Sequence, residues 1–355
     1  MNRPRRRLIA AACTALVGSL STLAYLPALA QAPTENVRVA LWWLRNGEVA
    51  PLLVADAKGY FAAEGLKVSF VDGGPGRNPV PMVGAGQADF GLAPGSEIFR
   101  ARLATSPVDV VGVGTLTQKM PLAYIKLANP NDPEPTPADM VGKTIGIQAP
   151  GRFFLHALLK RNGIDPSQVK TEVVLANAEP LMLGKVDYFA GFLTNQTYQI
   201  EEESAKPTAM ANVKGKTWRA VPYFKYGIEI PTNVIFATNK TIKERPETVR
   251  KFLKAVALGM KFTHENPAEA IKLVDTYPGQ LERADKLAWR MKIQLPLEIN
   301  EGTRANGLLW TDPKAWDELM SFYKEAGEIP RQLPAAEVAT NALLPNIKLS
   351  KDAAR

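Results

Sequence analysis

Val37, Val39, Leu41 and Trp43 are interleaved with Arg38, Ala40 and Trp42, a period of two that predicts a strand. Apolar residues then recur at helical spacing over residues 49–64, closed by Gly65. Residues 66–71 read as a second strand, Gly73-Gly74-Pro75-Gly76 as a glycine loop and residues 78–85 as a helix. Residues 89–92 form a short apolar strand; Ser96 can cap a helix running through Arg102, and residues 108–113 form another strand. Prolines punctuate residues 129–137, and a second run of the same kind follows. Its predicted strands are 143–148, 169–175, 186–192 and 231–238, with helical segments at 151–162 and 179–183 and a long helix at 246–265. Beyond that point the pattern is mostly helical, near 268–277, 281–291 and 313–326. Strands alternating with helices predict mainly parallel sheets. Two α/β units joined by two chain crossings fit the order better than one large sheet.

The first thirty residues follow a different pattern. Arg3, Arg5, Arg6 and Arg7 precede an apolar stretch over 8–26, and Ala28-Leu29-Ala30 has the small-x-small form of a signal-peptidase site. This predicts a cleaved export signal over residues 1–30. Arg6-Arg7 leaves a twin-arginine route open beside the general secretory one. Removing the leader subtracts four arginines and no acid, so the formal charge falls from +8 to +4. Such a charge, with no basic run interleaved with aromatics, excludes a nucleic-acid footprint. The lone Cys13 leaves with the leader, which excludes disulfides and cysteine zinc sites. The expected location of the mature chain is the periplasm.

Enzyme motifs are mostly wanting. Gly142-Lys143-Thr144 resembles the end of a phosphate-binding loop, but position 137 is Pro and a strand follows instead of a helix. There is no G-x-S-x-G elbow and no His/Asp/Glu cluster at metal-ligand spacing. His156 reads as a packed or surface helix residue, and His264 as a partner of a helix dipole. Glu201-Glu202-Glu203 reads as a solvated helix face. The expectation is no catalytic residue, no metal and no cofactor.

Several words of the sequence occur in a familiar order: Leu41-Trp42-Trp43-Leu44-Arg45-Asn46-Gly47-Glu48-Val49-Ala50-Pro51, Lys58-Gly59-Tyr60-Phe61, Glu64-Gly65-Leu66 and Gly86-Gln87-Ala88-Asp89-Phe90-Gly91. Met140-Val141-Gly142-Lys143-Thr144-Ile145-Gly146, Gly184-Lys185-Val186-Asp187 and Thr340-Asn341-Ala342-Leu343-Leu344-Pro345 continue it. The set resembles periplasmic substrate-binding proteins of ABC importers, in the branch of nitrate, sulfonate, taurine and thiamine-pyrimidine-precursor binders. The resemblance implies a type II two-lobed α/β fold with two hinge crossings and a ligand cleft. Lobe 1 is then expected over 36–116 and 234–330, lobe 2 over 117–233 and a C-terminal tail over 331–355. It also implies a small flat heterocyclic or anionic organic ligand and two partners, a membrane permease and a separate ATPase. A pyrimidine-forming enzyme on the same scaffold and a ligand-presenting sensor are the rival readings.

Ligands of open α/β sheets sit at the carboxyl ends of strands beside helix N-termini. Three loops satisfy that rule. The first carries Trp43, Asn46 and Glu48; the second Gly74, Gly76, Arg77 and Asn78; the third Gly151 and Arg152. Arg77 and Arg152 would face one another across the cleft and complement an anion or a carbonyl, or else are solvated first-turn arginines. Trp42 and Trp43 are expected on opposite faces of their strand, one of them in the core. The resemblance selects Trp43 as the ring offered to ligand. Glu48 either reads the ligand or caps the next helix. Asn195, Gln196, Tyr226 and Asn233 are further candidates near the second lobe and the second crossing. Two departures argue against the pyrimidine-forming branch. Val49 stands where relatives often carry His, and the uncharged Gln196 where they carry an acid.

Overall fold

The computed structural model describes residues 34–350, so the predicted leader over 1–30 lies outside the described residues. Ten strands form two five-stranded sheets. The first has the order β2-β1-β3-β10-β4, built from β1 (Glu35–Ala40), β2 (Leu66–Val71), β3 (Phe90–Ala93), β4 (Val110–Thr117) and β10 (Thr232–Thr238). The second has the order β7-β6-β8-β5-β9, from β5 (Leu122–Ala128), β6 (Thr144–Ile147), β7 (Lys170–Val173), β8 (Tyr188–Phe192) and β9 (Thr217–Pro222). The chain leaves the first sheet after β4 and returns in β10. The two crossings run side by side, tied by Met120 N donating to Ile230 O at 3.0 Å.

The sheets are mixed, where alternation alone predicts mainly parallel ones. β1 pairs parallel with β2 and β3, and β6 with β7 and β8, as helical crossovers require. β10 runs antiparallel to β3 and β4, and β5 antiparallel to β8 and β9. These are the strands next to the crossings. A chain that enters a sheet directly from a neighbouring lobe arrives in the opposite sense. β5 and β9 lack a period-two signal and are absent from the sequence expectation.

The helices are α1 (Ala50–Ala57), α2 (Tyr60–Ala63), α3 (Pro79–Gly84), α4 (Gly95–Leu103), α5 (Arg152–Arg161), α6 (Glu179–Met182) and α7 (Gln196–Ser204). They continue as α8 (Asn239–Glu244), α9 (Pro246–Glu265), α10 (Pro267–Asp275), α11 (Ala284–Glu298), α12 (Glu301–Asn306), α13 (Pro313–Glu325) and α14 (Ala335–Val338). The predicted helix over 49–64 is two, because Gly59 takes φ 71° between α1 and α2. The cap of α4 is Pro94 and not Ser96, which lies inside the helix. The Glu201-Glu202-Glu203 run is not simply solvated. Glu201 accepts from Thr217, Glu202 pairs with Arg283, and Glu203 accepts from Lys206 and the Met210 N–H. Residues 331–350 pack against the first lobe: Ala339 bridges to Gly112, and Leu343 is buried in that lobe's core.

The first lobe is held by Phe252 of α9, stacked 4.1 Å from Phe90 and 5.4 Å from Phe61. α9 crosses α1 at Gly259. A Cβ there would overlap the Pro51 carbonyl oxygen and lie 2.8 Å from Ala55 Cβ, and neither backbone can yield. Between the lobes, Phe153 and Phe154 of α5 pack on Phe322 and Tyr323 of α13, with ring centroids 5.0–5.9 Å apart. Gly259→Ala is therefore expected to destabilise the protein by about 1–3 kcal/mol through overpacking, read as a lower urea midpoint at unchanged slope.

Candidate functional site

β1 ends at Ala40, three residues before Trp43, so the tryptophans are not strand residues on opposite faces. The chain bends away over residues 41–46, held by the glycine loop. Gly73 N donates to Trp43 O and Gly74 N to Trp42 O, each at 3.1 Å. A Cβ on Gly73 would overlap the backbone of Leu41 and Trp42, so only glycine lets the two segments come this close. Both tryptophans consequently border a cavity of about 640 Å³ between the lobes, and Trp42 is also partly buried against the apolar core. Trp43 is 45% exposed, and Leu44, Phe192 and Leu281 share the wall and are also open to solvent. Large apolar side chains left uncovered in a concavity are the mark of a ligand surface.

Six expected residues line this cavity: Trp43, Asn46, Glu48, Asn195, Gln196 and Asn233. Their chemistry is partly committed elsewhere. Asn46 Oδ1 accepts from Glu48 N at 2.8 Å and caps a short turn at 47–49. Gln196 Oε1 accepts from Phe192 N, and its Nε2 donates to Ala176 O, both at 2.7 Å, so this amide clasps the β8–α7 junction. The Asn195 side chain has no hydrogen-bond partner among the described residues. Asn233 sits at φ 49°, an unusual value for a non-glycine residue, where β10 leaves the crossing.

The wall does not include Gly74, Gly76, Arg77, Asn78, Gly151, Arg152 or Tyr226. The glycine loop folds on itself as a turn, Arg77 N donating to Gly74 O at 3.0 Å. Asn78 caps α3 through Val80 N and donates to Glu97. Gly151 closes a turn at 149–151, and Arg152 is exposed at the start of α5. From that loop Gln148 lines the cavity instead, one residue past the end of β6. Tyr226 Oη donates to Pro135 O at 3.4 Å, away from the wall.

The contribution that the sequence does not announce comes from α11 and the residues before it. Arg290, Gln294 and Glu298 recur every four residues and share one face. Arg290 is 4% exposed. It binds Glu282 through Nε at 2.9 Å and Nη2 at 2.7 Å, Glu48 through Nη1 at 2.6 Å, and reaches Thr194 Oγ1 of the second lobe at 3.4 Å. Burial opposes its charge, but Glu48 and Glu282 outweigh that and raise its pKa. Gln294 Nε2 donates to Glu48 O at 3.1 Å and to Glu298 Oε1 at 2.8 Å. Glu298 Oε2 meets His264 Nε2 at 2.9 Å, so His264, in the last turn of α9 as expected, also serves a carboxylate. Polar residues at i, i+4 and i+8, on one face of a helix that also carries Leu287 and Met291, were the available signal.

A second face of α11 holds the other lobe. Trp289 Nε1 donates to Thr197 Oγ1 at 3.0 Å, and its ring lies edge-on to Tyr198 and Trp218. At the helix start Arg283 bonds Glu202 at 2.6 Å and Tyr198 Oη at 2.9 Å, and Tyr198 Oη donates to Asp285 at 2.8 Å. Burial and the Asp285 hydrogen bond push the Tyr198 phenol up to about 12. Arg283 holds the Asp285 carboxyl well below the usual range.

Arg45, also in the wall, grips Asp72 with two bonds at 2.8–2.9 Å and donates to Pro278 O at 2.8 Å. The Arg45 hydrogen bond lowers the Asp72 pKa despite partial burial. A depressed carboxylate adds stability above its unfolded pKa and loses it as pH falls through the folded value. Wild type should therefore exceed Asp72→Asn by about 1 kcal/mol at pH 7. The gap should close as the pH drops below about 4, measured by urea unfolding across pH.

Riboflavin-binding protein RibY of Chloroflexus aurantiacus is 29% identical over 95% of this chain and 95% of its own. A 4-amino-5-hydroxymethyl-2-methylpyrimidine phosphate synthase of Legionella pneumophila is 24% identical over 89% of this chain and 94% of its own. Among solved structures, the periplasmic aliphatic sulphonate binding protein SsuA of Escherichia coli superposes with a TM-score of 0.63 at 15% identity, covering 85% of this chain and 96% of that one. The fold is thus the two-lobed one of periplasmic binding proteins. The NMT1/THI5 like family model matches residues 46–270, and the chain belongs to that family.

Proposed function

We propose that the protein is an extracytoplasmic solute-binding protein that encloses one flat, uncharged heterocycle of the riboflavin class and delivers it to an ABC importer. The permease and the ATPase are then separate chains, and the protein itself makes and breaks no bonds. The observation that carries this reading is the charge balance of the cavity wall. Arg45 is paired with Asp72, Arg283 with Glu202 and Asp285, Arg290 with Glu48 and Glu282, and Lys286 lies 3.7 Å from Glu282. An anionic group would have to break one of these pairs, so the wall disfavours the anionic alternative. What the wall offers freely is aromatic and aliphatic surface from Trp42, Trp43, Leu44, Phe192 and Leu281, with amides between. That combination suits a neutral ring system with hydrogen-bonding edges. The volume of about 640 Å³ lies in the range of small-molecule and cofactor sites. The similarity to a riboflavin-binding protein along nearly the whole chain supports the same ligand class.

Titration with riboflavin, followed by flavin and tryptophan fluorescence, tests the reading. Single-site binding is expected, with thermal stabilisation by ligand and no response to taurine or alkanesulfonates. Trp43→Ala should weaken binding about tenfold with little loss of stability, since the ring is half exposed. Gly73→Ala should weaken it too, by displacing the segment that carries both tryptophans. Sulfonate binding without flavin binding overturns the proposal. Recovery of a chemically altered ligand replaces it with the enzyme reading that the synthase relative represents.

A further inference from the structure

Gln294 is 2% exposed and yet belongs to the cavity wall. Both groups at its amide end are acceptors: the Glu48 carbonyl at 3.1 Å and the Glu298 carboxylate at 2.8 Å. Only an NH2 group can face two acceptors, so chemistry fixes the orientation of this amide. Both amide protons are thereby used. Glu298, 1% exposed, is fixed in turn by His264 at its other oxygen. The remaining atom, Gln294 Oε1, has no hydrogen-bond partner among the described residues. It is also not sealed inside the protein, for the buried unpartnered side-chain atom there is Arg102 Nε. It therefore opens to the cavity as an acceptor whose direction is locked.

We propose that Gln294 is a specificity-determining residue that accepts a hydrogen bond from a ring N–H of the ligand, and that Glu298 is the positioning residue that fixes its orientation. This rests on the flat-heterocycle reading above and names the edge of the ring that is read. A rigid acceptor in a nearly dry wall discriminates best against a ligand lacking the matching donor, because its own polar atom is then left unpaired. In a flavin the ring N–H is that of the imide. A flexible hydroxyl could turn away, whereas a ring donor is held in register by the tryptophans.

The test compares riboflavin with 3-methylriboflavin, in which a methyl group replaces the imide proton and both ring carbonyls remain. Wild type should bind riboflavin at least about tenfold more tightly. In Gln294→Leu the ratio should fall to about one. In Glu298→Gln the new carboxamide can donate to Gln294, the amide is free to turn over, and the ratio should fall severalfold. Affinity for the 3-methyl analogue should stay near its wild-type value in that variant, which general damage to the wall would not allow. Equal wild-type affinity for the two flavins, or an unchanged ratio in folded Gln294→Leu, overturns the assignment while leaving the riboflavin reading intact. Failure of wild type to bind riboflavin overturns both.

Discussion

Arg290 carries its charge where four parts of the chain meet: the residues after β1, the segment before α11, α11 itself and the rim of the second lobe. A guanidinium buried to 4% exposure persists there because its hydrogen-bonding edges are filled by Glu282 and Glu48. Removing both carboxylates would strand a buried charge, a loss on the order of 3–5 kcal/mol for pairs of this kind. Much of the cavity depends on this junction. Glu48 follows the tryptophan segment directly, and its carbonyl receives Gln294, so the first loop and α11 are aligned by the same contacts. The mutual pairing of charges in the wall follows from the same contacts.

α11 is best understood as a helix with two duties. Leu287 and Met291 bury it in the first lobe. Arg290 and Gln294 line the cavity, Glu298 braces Gln294 from behind, and Trp289 and Ile293 face the second lobe. One rigid element thus touches the ligand space and both lobes. Interactions that span the lobes exist only when the lobes are together, which is how binding energy becomes closure in hinged proteins. The ion cluster of Arg283, Asp285, Glu202 and Tyr198 lies at the exposed start of the helix, where its pairs contribute little each to stability. Its geometry suits registering the two rims more than holding them.

The sequence shows why some of this was legible and some not. Period-two and helical patterns located most strands and the long helix α9, because burial on one face writes itself into neighbouring residues. The strands at the crossings, β5 and β9, stayed hidden. β5 lies between β8 and β9 and is largely buried on both faces, and such strands lose alternation. The glycine loop was noticed for its freedom of backbone approach, and the neighbour that approaches is the tryptophan segment: the Gly73 and Gly74 N–H groups serve the carbonyls of Trp43 and Trp42. Arg77 and Arg152 satisfied a general rule about strand ends that does not say which side chains turn inward.

By itself, then, the sequence determined the two α/β units and the order of most of their elements, and pointed to the tryptophan-bearing segment as a place to look. These follow from local periodicity and composition, which act over a few residues. Only the tertiary structure decided which polar groups stay free for a guest. Asp72 meets Arg45 from 27 positions away, and Arg290 meets Glu48 from 242. A side chain's remaining hydrogen-bonding capacity depends on partners brought in by the fold, and no spacing along the chain records them.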